Sequence, residues 1–288
     1  MKLGTCLPTD ESTHVNGQFS LEKAVEALAT AGIRGCLTNF PAEESQWKAY
    51  SVQLKNALRH SGVELFEYNM PLFLSSSTGE NRESEAERTV RLLELSEETG
   101  CLNVGTCLTN NNGLGPDLKS RSREHYDNAK ATCELIGRKA EKLGLKARLL
   151  PELVYTTVTW SPAELVRLLD DVGSPNVRGH MDIANCLTFD RIIIDHSEFI
   201  RESFQVLGDR LCSAHLKDIR PAESYFPGLV EVLVGDGVMD IRSYLQSLDK
   251  MPEGFPLVIE HMNRMEDIKR SYDRTCQMAH EIGVEVWR

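Results

Sequence analysis

Four polar residues stand late in four separate apolar runs of the chain: Glu152 in LLPE, Asp182 in HMD, His215 in AHLKD and Glu260 in LVIE. Each run reads as a buried parallel strand, because aliphatic and β-branched residues fill it without the alternation of a half-wet sheet. A carboxylate or imidazole at the C-terminal end of such a strand faces the crevice where α/β proteins bind ligands. Three carboxylates and one imidazole are costly to desolvate together without a cation between them. Glu152, Asp182, His215 and Glu260 are therefore expected to ligate one divalent metal. Their oxygens and single nitrogen suit Mn²⁺ best, with Mg²⁺, Co²⁺ or Zn²⁺ as alternatives. The plainer reading is four structural polar residues, each paired with an arginine or a backbone amide.

The two glutamates suggest what such a metal would be for. A chelated vicinal hydroxy-carbonyl has an acidified carbon-bound proton. One carboxylate can remove that proton and another can return it, through a metal-stabilised cis-enediolate. Glu152 and Glu260 are the candidate acid/base pair. Sequence does not say which abstracts first.

These residues need a scaffold that gathers distant strand ends. Strand-like runs begin near Leu3, Ile33, Val63, Cys101, Leu145, Val177, Leu211 and Phe255. Seven follow a glycine that closes a helical pattern: Gly32, Gly62, Gly100, Gly144, Gly173, Gly208 and Gly254. Ser20 is a predicted N-cap ahead of the Leu21, Ala24, Val25 and Leu28 stripe. Ser161-Pro162 opens another helix, with Glu164 as its capping-box acid. Eight alternating strand and helix units predict an α/β fold, a (β/α)₈ barrel, as one domain over residues 1–288. An open doubly wound sheet is the alternative, but CLPTDESTHVNG after the first strand is not a Gly-rich nucleotide loop. The longest loops follow strand 4 (TNNNGLGPDLKSR) and strand 7 (IRPAESYFPGLVEVLVGDG), on the face that carries the candidate site.

A net charge of -11 argues against nucleic acid or an anionic membrane as partner. It leaves a small carbohydrate-like substrate, phosphorylated or not. Eight scattered cysteines without a C-x-x-C pair read as reduced core thiols of a cytoplasmic protein. MKLGTCLPTD enters a strand directly, and no apolar stretch reaches the roughly 18 residues that span a bilayer.

Longer motifs extend the pattern: PE at Pro151–Glu152, HMDIAN at His180–Asn185, AHLKD at Ala214–Asp218, VGDGVMD at Val234–Asp240 and IEH at Ile259–His261. With them the chain resembles the xylose-isomerase-like superfamily of sugar isomerases and epimerases, over essentially the whole barrel. The resemblance implies that Glu152, Asp182, His215 and Glu260 match the metal ligands of the ketose 3-epimerase-like members. In those enzymes the glutamates also serve as acid and base. Hydroxypyruvate isomerase, inosose dehydratase and dehydroshikimate dehydratase are further relatives, so a dehydratase of a β-hydroxy ketone is the alternative reaction. A non-catalytic binding barrel is the third reading. Two positions depart from the epimerases. Asn185 stands where they carry histidine, and Pro221 where they carry arginine, with Arg220 adjacent as a candidate substrate contact. The multi-histidine set of the superfamily's DNA-repair endonucleases is absent.

Several other residues are expected near the site. Lys217 shares strand parity with His215 and either binds a substrate oxygen or pairs with the acidic cluster. His180 has the parity of Asp182 one layer deeper, which suits support of a ligand more than ligation. Asn39, Asn69 and Asn110–Asn112 offer neutral amides for hydroxyls, though asparagine also forms turns. Asn185 suits a substrate contact or a turn cap. Trp160 and Phe226 are expected in loops that shield substrate or, with Tyr225, form the contact of a possible homodimer. Gly235, Asp236 and Gly237 read as a tight turn.

Overall fold

All eight strand runs are realised as parallel barrel strands: β1 Lys2–Cys6, β2 Gly35–Asn39, β3 Glu64–Asn69, β4 Asn103–Thr106, β5 Arg148–Pro151, β6 Gly179–Met181, β7 Leu211–Leu216 and β8 Pro256–Ile259. The computed structural model describes residues 1–70, 72–109, 119–194, 196–225 and 228–287. Around the sheet the strand order is β5-β4-β3-β2-β1-β8-β7-β6. Parallel bridges Leu149↔Val177 and Glu152↔His180 close the seam between β5 and β6. Backbone hydrogen bonds reinforce it, from Leu149 N to Asn176 O at 2.8 Å and from Arg178 N to Leu149 O at 3.0 Å. The result is a (β/α)₈ barrel.

The helices that cover the strands are α1 Leu21–Thr30, α2 Glu44–Leu58, α3 Arg82–Thr99, α4 Arg123–Leu143, α5 Pro162–Val172, α6 Phe189–Ile194, α7 His196–Leu207, α8 Ile241–Leu248 and α9 Met265–Glu281. Both predicted caps form: Ser20 Oγ accepts from Lys23 N and Ser161 Oγ from Glu164 N, each at 3.3 Å. The seven predicted strand-preceding glycines all have positive φ, which lets the chain leave a helix and turn into a strand without a Cβ clash. Leucines, valines and alanines between strands and helices form the main core, including Leu28, Leu54, Leu93, Ile136 and Leu165. Among the described residues no helix is long and apolar enough to cross a membrane.

Three details were not legible in the sequence. The loop after β7 contains an antiparallel hairpin, Asp218–Pro221 with Leu229–Val232. The short helix α6 precedes α7 and buries none of its residues. In β3 the pairing with β2 skips Phe66, running Cys36↔Leu65 and then Leu37↔Glu67. This bulge breaks strict alternation. Phe66 packs with Leu37 and Val258 in a small cluster separate from the main core, while Glu67 follows it into the barrel.

Candidate active site

Strand ends deliver the four candidate residues to one place. Glu152 follows β5, Asp182 follows β6, His215 lies within β7 and Glu260 follows β8. One ligand atom from each lies within 4.8 Å of all the others. All four are at least 95% buried: Glu152 is 2% exposed, Asp182 0%, His215 1% and Glu260 5%. Strand pairing positions the carboxylates rather than their local helix or loop preferences. Glu152 N donates to Thr106 O at 2.8 Å, and Glu260 N to Leu216 O at 3.3 Å.

Four atoms of this cluster are buried with no hydrogen-bond partner: Asp182 Oδ2, both ring nitrogens of His215 and Glu260 Oε2. His215 Nδ1 is 3.1 Å from Glu260 Oε2 and 4.0 Å from Asp182 Oδ2. The remaining oxygens are held by other groups. Asn185 Nδ2 donates to Glu152 Oε1 at 2.8 Å, Cys107 Sγ to Glu152 Oε2 at 3.2 Å, and Asn69 Nδ2 to Glu260 Oε1 at 3.3 Å. Convergent oxygen and nitrogen lone pairs without donors fit a hard or borderline divalent cation. Glu152, Asp182, His215 and Glu260 could hold it.

Lys217 resolves into the acidic cluster. Its Nζ lies 2.7 Å from Asp182 Oδ2 and 2.8 Å from Glu260 Oε2, in ion pairs that are close but not aligned as hydrogen bonds. It also donates to Asn185 Oδ1 at 3.2 Å. One ammonium against three carboxylates leaves two negative charges, the charge that one divalent ion would balance.

The surroundings treat the two glutamates differently. Burial raises the Glu152 carboxyl above its ordinary value, and the neighbouring Glu260 charge raises it further. Burial would also raise Glu260, but His215 and Lys217 outweigh it and hold that carboxyl well below the usual range. Burial opposes the charged forms of His215 and Lys217 as well. The carboxylates of Glu260 and Glu67 nevertheless raise the imidazole well above its usual value, and Asp182 and Glu260 raise the ammonium.

A cavity of about 420 Å³ opens above the cluster, and Asn39, Asn69, Cys107, Tyr155, Asn185 and His261 line it together with Lys217 and both glutamates. Of the residues expected near the site, Asn39, Asn69, Asn185 and Lys217 thus line this cavity. His261 also reaches the cavity despite its parity, because the strand has ended and its φ is 61°; its Nδ1 is 2.8 Å from Glu231 Oε2 on the hairpin. Trp160 does not line this cavity. It borders a neighbouring pocket with Arg121 and Tyr126, and the Arg121 guanidinium lies 4.8 Å from its ring. Arg220 stays on the hairpin, where Nη1 pairs with Glu223 at 3.3 Å. Asn110, with the rest of the 110–112 run, and Phe226 lie outside the described residues. Tyr225 is 94% exposed.

The matching family model is the xylose isomerase-like TIM barrel, over residues 20–283. The chain belongs to this family. Solved structures with this fold include three at low identity. A xylose isomerase domain protein from Planctomyces limnophilus is 16% identical with TM-score 0.69, covering 98% of each chain. A xylose isomerase-like TIM barrel protein from Mycobacterium smegmatis, in complex with magnesium, is 15% identical with TM-score 0.70, covering 98% of this chain and 97% of that one. The D-psicose 3-epimerase from Clostridium cellulolyticum with D-tagatose is 16% identical with TM-score 0.69, covering 99% and 100%. No curated protein matches the sequence.

Within this xylose isomerase-like barrel, sequence reasoning missed Glu67, Cys107 and Tyr155. Cys107 lies just past β4 and reaches Glu152 only through the β4–β5 pairing. Glu67 had a usable signal, an acid in the middle of the otherwise apolar run LFEY. A charge there is buried and needs partners. Its partners are His215, with Nε2 at 3.2 Å, and His180, with Nε2 at 3.3 Å. His180 thereby sits beneath the cluster, as its parity suggested. Asp218 of the AHLKD motif is structural. Its carboxylate accepts from Ile219, Gly235, Gly237 and Met239 N at 2.9, 2.8, 2.9 and 3.2 Å, fixing the predicted glycine turn.

Proposed function

We propose that this protein is a divalent-metal-dependent isomerase or epimerase of a hydroxy-ketone sugar or related polyol. The observation that carries this reading is the meeting of Glu152 and Glu260 at one buried cluster with Asp182 and His215. Those four are the proposed metal ligands, with Mn²⁺ favoured over Mg²⁺, Co²⁺ and Zn²⁺ by the oxygen-rich set. A bound divalent ion would supply Lewis-acid polarisation of a carbonyl. Glu152 and Glu260 are suited to take the proton from the carbon beside that carbonyl and to return one, in the order that the substrate's stereochemistry sets. Asn39, Asn69 and Asn185 offer amides for substrate hydroxyls, and Lys217 supplies positive charge where negative charge develops. Ketoses such as the D-tagatose bound by the clostridial epimerase are the first substrates to try.

The test is turnover of a ketose and polyol panel in D₂O with Mn²⁺, read by NMR. Deuterium should enter at the carbon next to the carbonyl, and Glu152→Gln and Glu260→Gln should each abolish turnover. Near-parental activity in both metal-bound variants would sink the mechanism. An ultraviolet enone signal in place of an epimer would move the assignment to a dehydratase.

The proposed setting is cytosolic, in keeping with eight cysteines that form no disulfide among the described residues. A homodimer is proposed as the assembly, since Ile193, Ile194 and Tyr225 expose 65%, 81% and 94% of their surfaces. Light scattering at micromolar concentration decides it: a mass near 32.3 kDa would make the dimer wrong.

A further inference from the structure

Beneath the candidate metal cluster lies a second set of buried groups with no task in the proposed chemistry: Glu67, His180, Ser213 and the inner edge of His215. Glu67, His180 and Ser213 are each 0% exposed. A carboxylate at the heart of a barrel costs several kcal/mol of desolvation that an aliphatic side chain would avoid. The fold nevertheless makes room for it twice. The β3 bulge at Phe66 turns Glu67 into the barrel. On the neighbouring strand Gly105 leaves the space open, since a Cβ there would lie 2.2 Å from Glu67 Oε1.

The contacts of Glu67 divide between its oxygens. Oε2 accepts from Ser213 Oγ and lies 3.3 Å from His180 Nε2. Oε1 lies 3.2 Å from His215 Nε2; like the His180 contact, this is a close approach not aligned as a hydrogen bond. The His180 and His215 rings meet edge to face, with centroids 4.0 Å apart and planes at 69°. The other nitrogen of His215, Nδ1, faces Glu260 and Asp182. A neutral imidazole carries one proton, and a carboxylate beside Nε2 draws it there, leaving the Nδ1 lone pair aimed at the cluster.

We propose that Glu67 is a positioning residue for the cation site: it fixes the tautomer and ring plane of His215 from below, while Ser213 and His180 hold its second oxygen. This inference rests on the metal reading given above. Outer carboxylates of this kind sustain the affinity of metal sites.

Mn²⁺ titration of the full chain tests it, by calorimetry and by the Mn²⁺ spin-resonance signal, with circular dichroism and EDTA-treated melts as folding controls. The parent should bind one Mn²⁺ per chain. Glu67→Gln should stay folded and bind roughly 10–100-fold more weakly, and Glu67→Leu at least as weakly. In the ¹⁵N-labelled parent loaded with Mg²⁺, His215 should be a single Nε2–H tautomer, and in Glu67→Leu, at a Mg²⁺ concentration that saturates only the parent, a mixture. A purely structural role would lower the EDTA-treated melting temperature and leave affinity and tautomer alone, and that result overturns the proposal. Two Mn²⁺ per parental chain, with one lost in the variants, overturns it too, because Glu67 is then a ligand. If neither Glu67 variant folds, Ser213→Ala should weaken Mn²⁺ binding about threefold or more, and unchanged affinity overturns the idea. A parent that binds no divalent ion refutes the metal reading itself, a failure distinct from a parent that binds while its variants bind equally well.

Discussion

Replacing Lys217 by methionine would remove the ammonium that faces Asp182 and Glu260 and keep nearly the same length of side chain. Lys217 is 5% exposed, with Nζ at 2.7 and 2.8 Å from the two carboxylates and 3.2 Å from Asn185 Oδ1. Methionine fills similar volume, so the packing loss is small. The main effect is electrostatic, and breaking a buried pair from one side costs about 3–5 kcal/mol. At two to four degrees per kcal/mol for a chain of this size, the metal-free midpoint should fall by roughly 6–20 °C. The loss should be larger at a higher than at a lower pH, because Glu152, already raised by burial and by Glu260, takes up a proton more readily once the ammonium is gone. Saturating Mn²⁺ restores positive charge, and a ligand at a hundred times its Kd stabilises by about 2.7 kcal/mol. The variant should therefore gain more from Mn²⁺ than the parent does. Scanning calorimetry in EDTA and in Mn²⁺ at both pH values measures all of this. An EDTA-treated variant that melts within about 2 °C of the parent would refute the view that Lys217 balances a desolvated acidic cluster.

Asp182→Ala should cut Mn²⁺ affinity by about a hundredfold or more with the fold retained, and titration calorimetry showing near-parental affinity would remove Asp182 from the site. Asp218→Asn replaces one of two acceptor oxygens by a donor, so about two of the four turn hydrogen bonds are lost, roughly 3–6 kcal/mol for bonds to a charged group; urea denaturation should show it. Asp240 caps α8 through Ser243 N at 3.0 Å. Burial would raise its carboxyl, but the Ser197 and Ser243 hydroxyls outweigh that and hold it below 3.8. Its folded form then binds protons less readily than its unfolded form, so this stabilisation is present above pH 3.8 and fades as the pH falls through the lower folded value. The stability gap between the parent and Asp240→Asn should accordingly narrow between pH 6 and pH 3.

The strand count, the barrel and the four strand-end residues were readable in the chain because each depends on local pattern. A run of aliphatic residues, a glycine at a helix end and a polar residue at a strand end carry their meaning within about ten residues. Lys217 was half readable: two-residue periodicity put it on the side of His215, while its pairing with Asp182 and Glu260 depended on how β6 and β8 flank β7. Glu67 shows the limit most clearly. Its inward direction comes from a bulge set by pairing with β2, its space from a glycine on β4, and its partners from β6 and β7. Trp160 and Arg220 lie away from the cavity lining for the related reason that loop and hairpin paths are set by packing, not by residue type. Local periodicity fixes which face a side chain takes along a strand; only closure of the barrel decides which side chains from other strands it meets there.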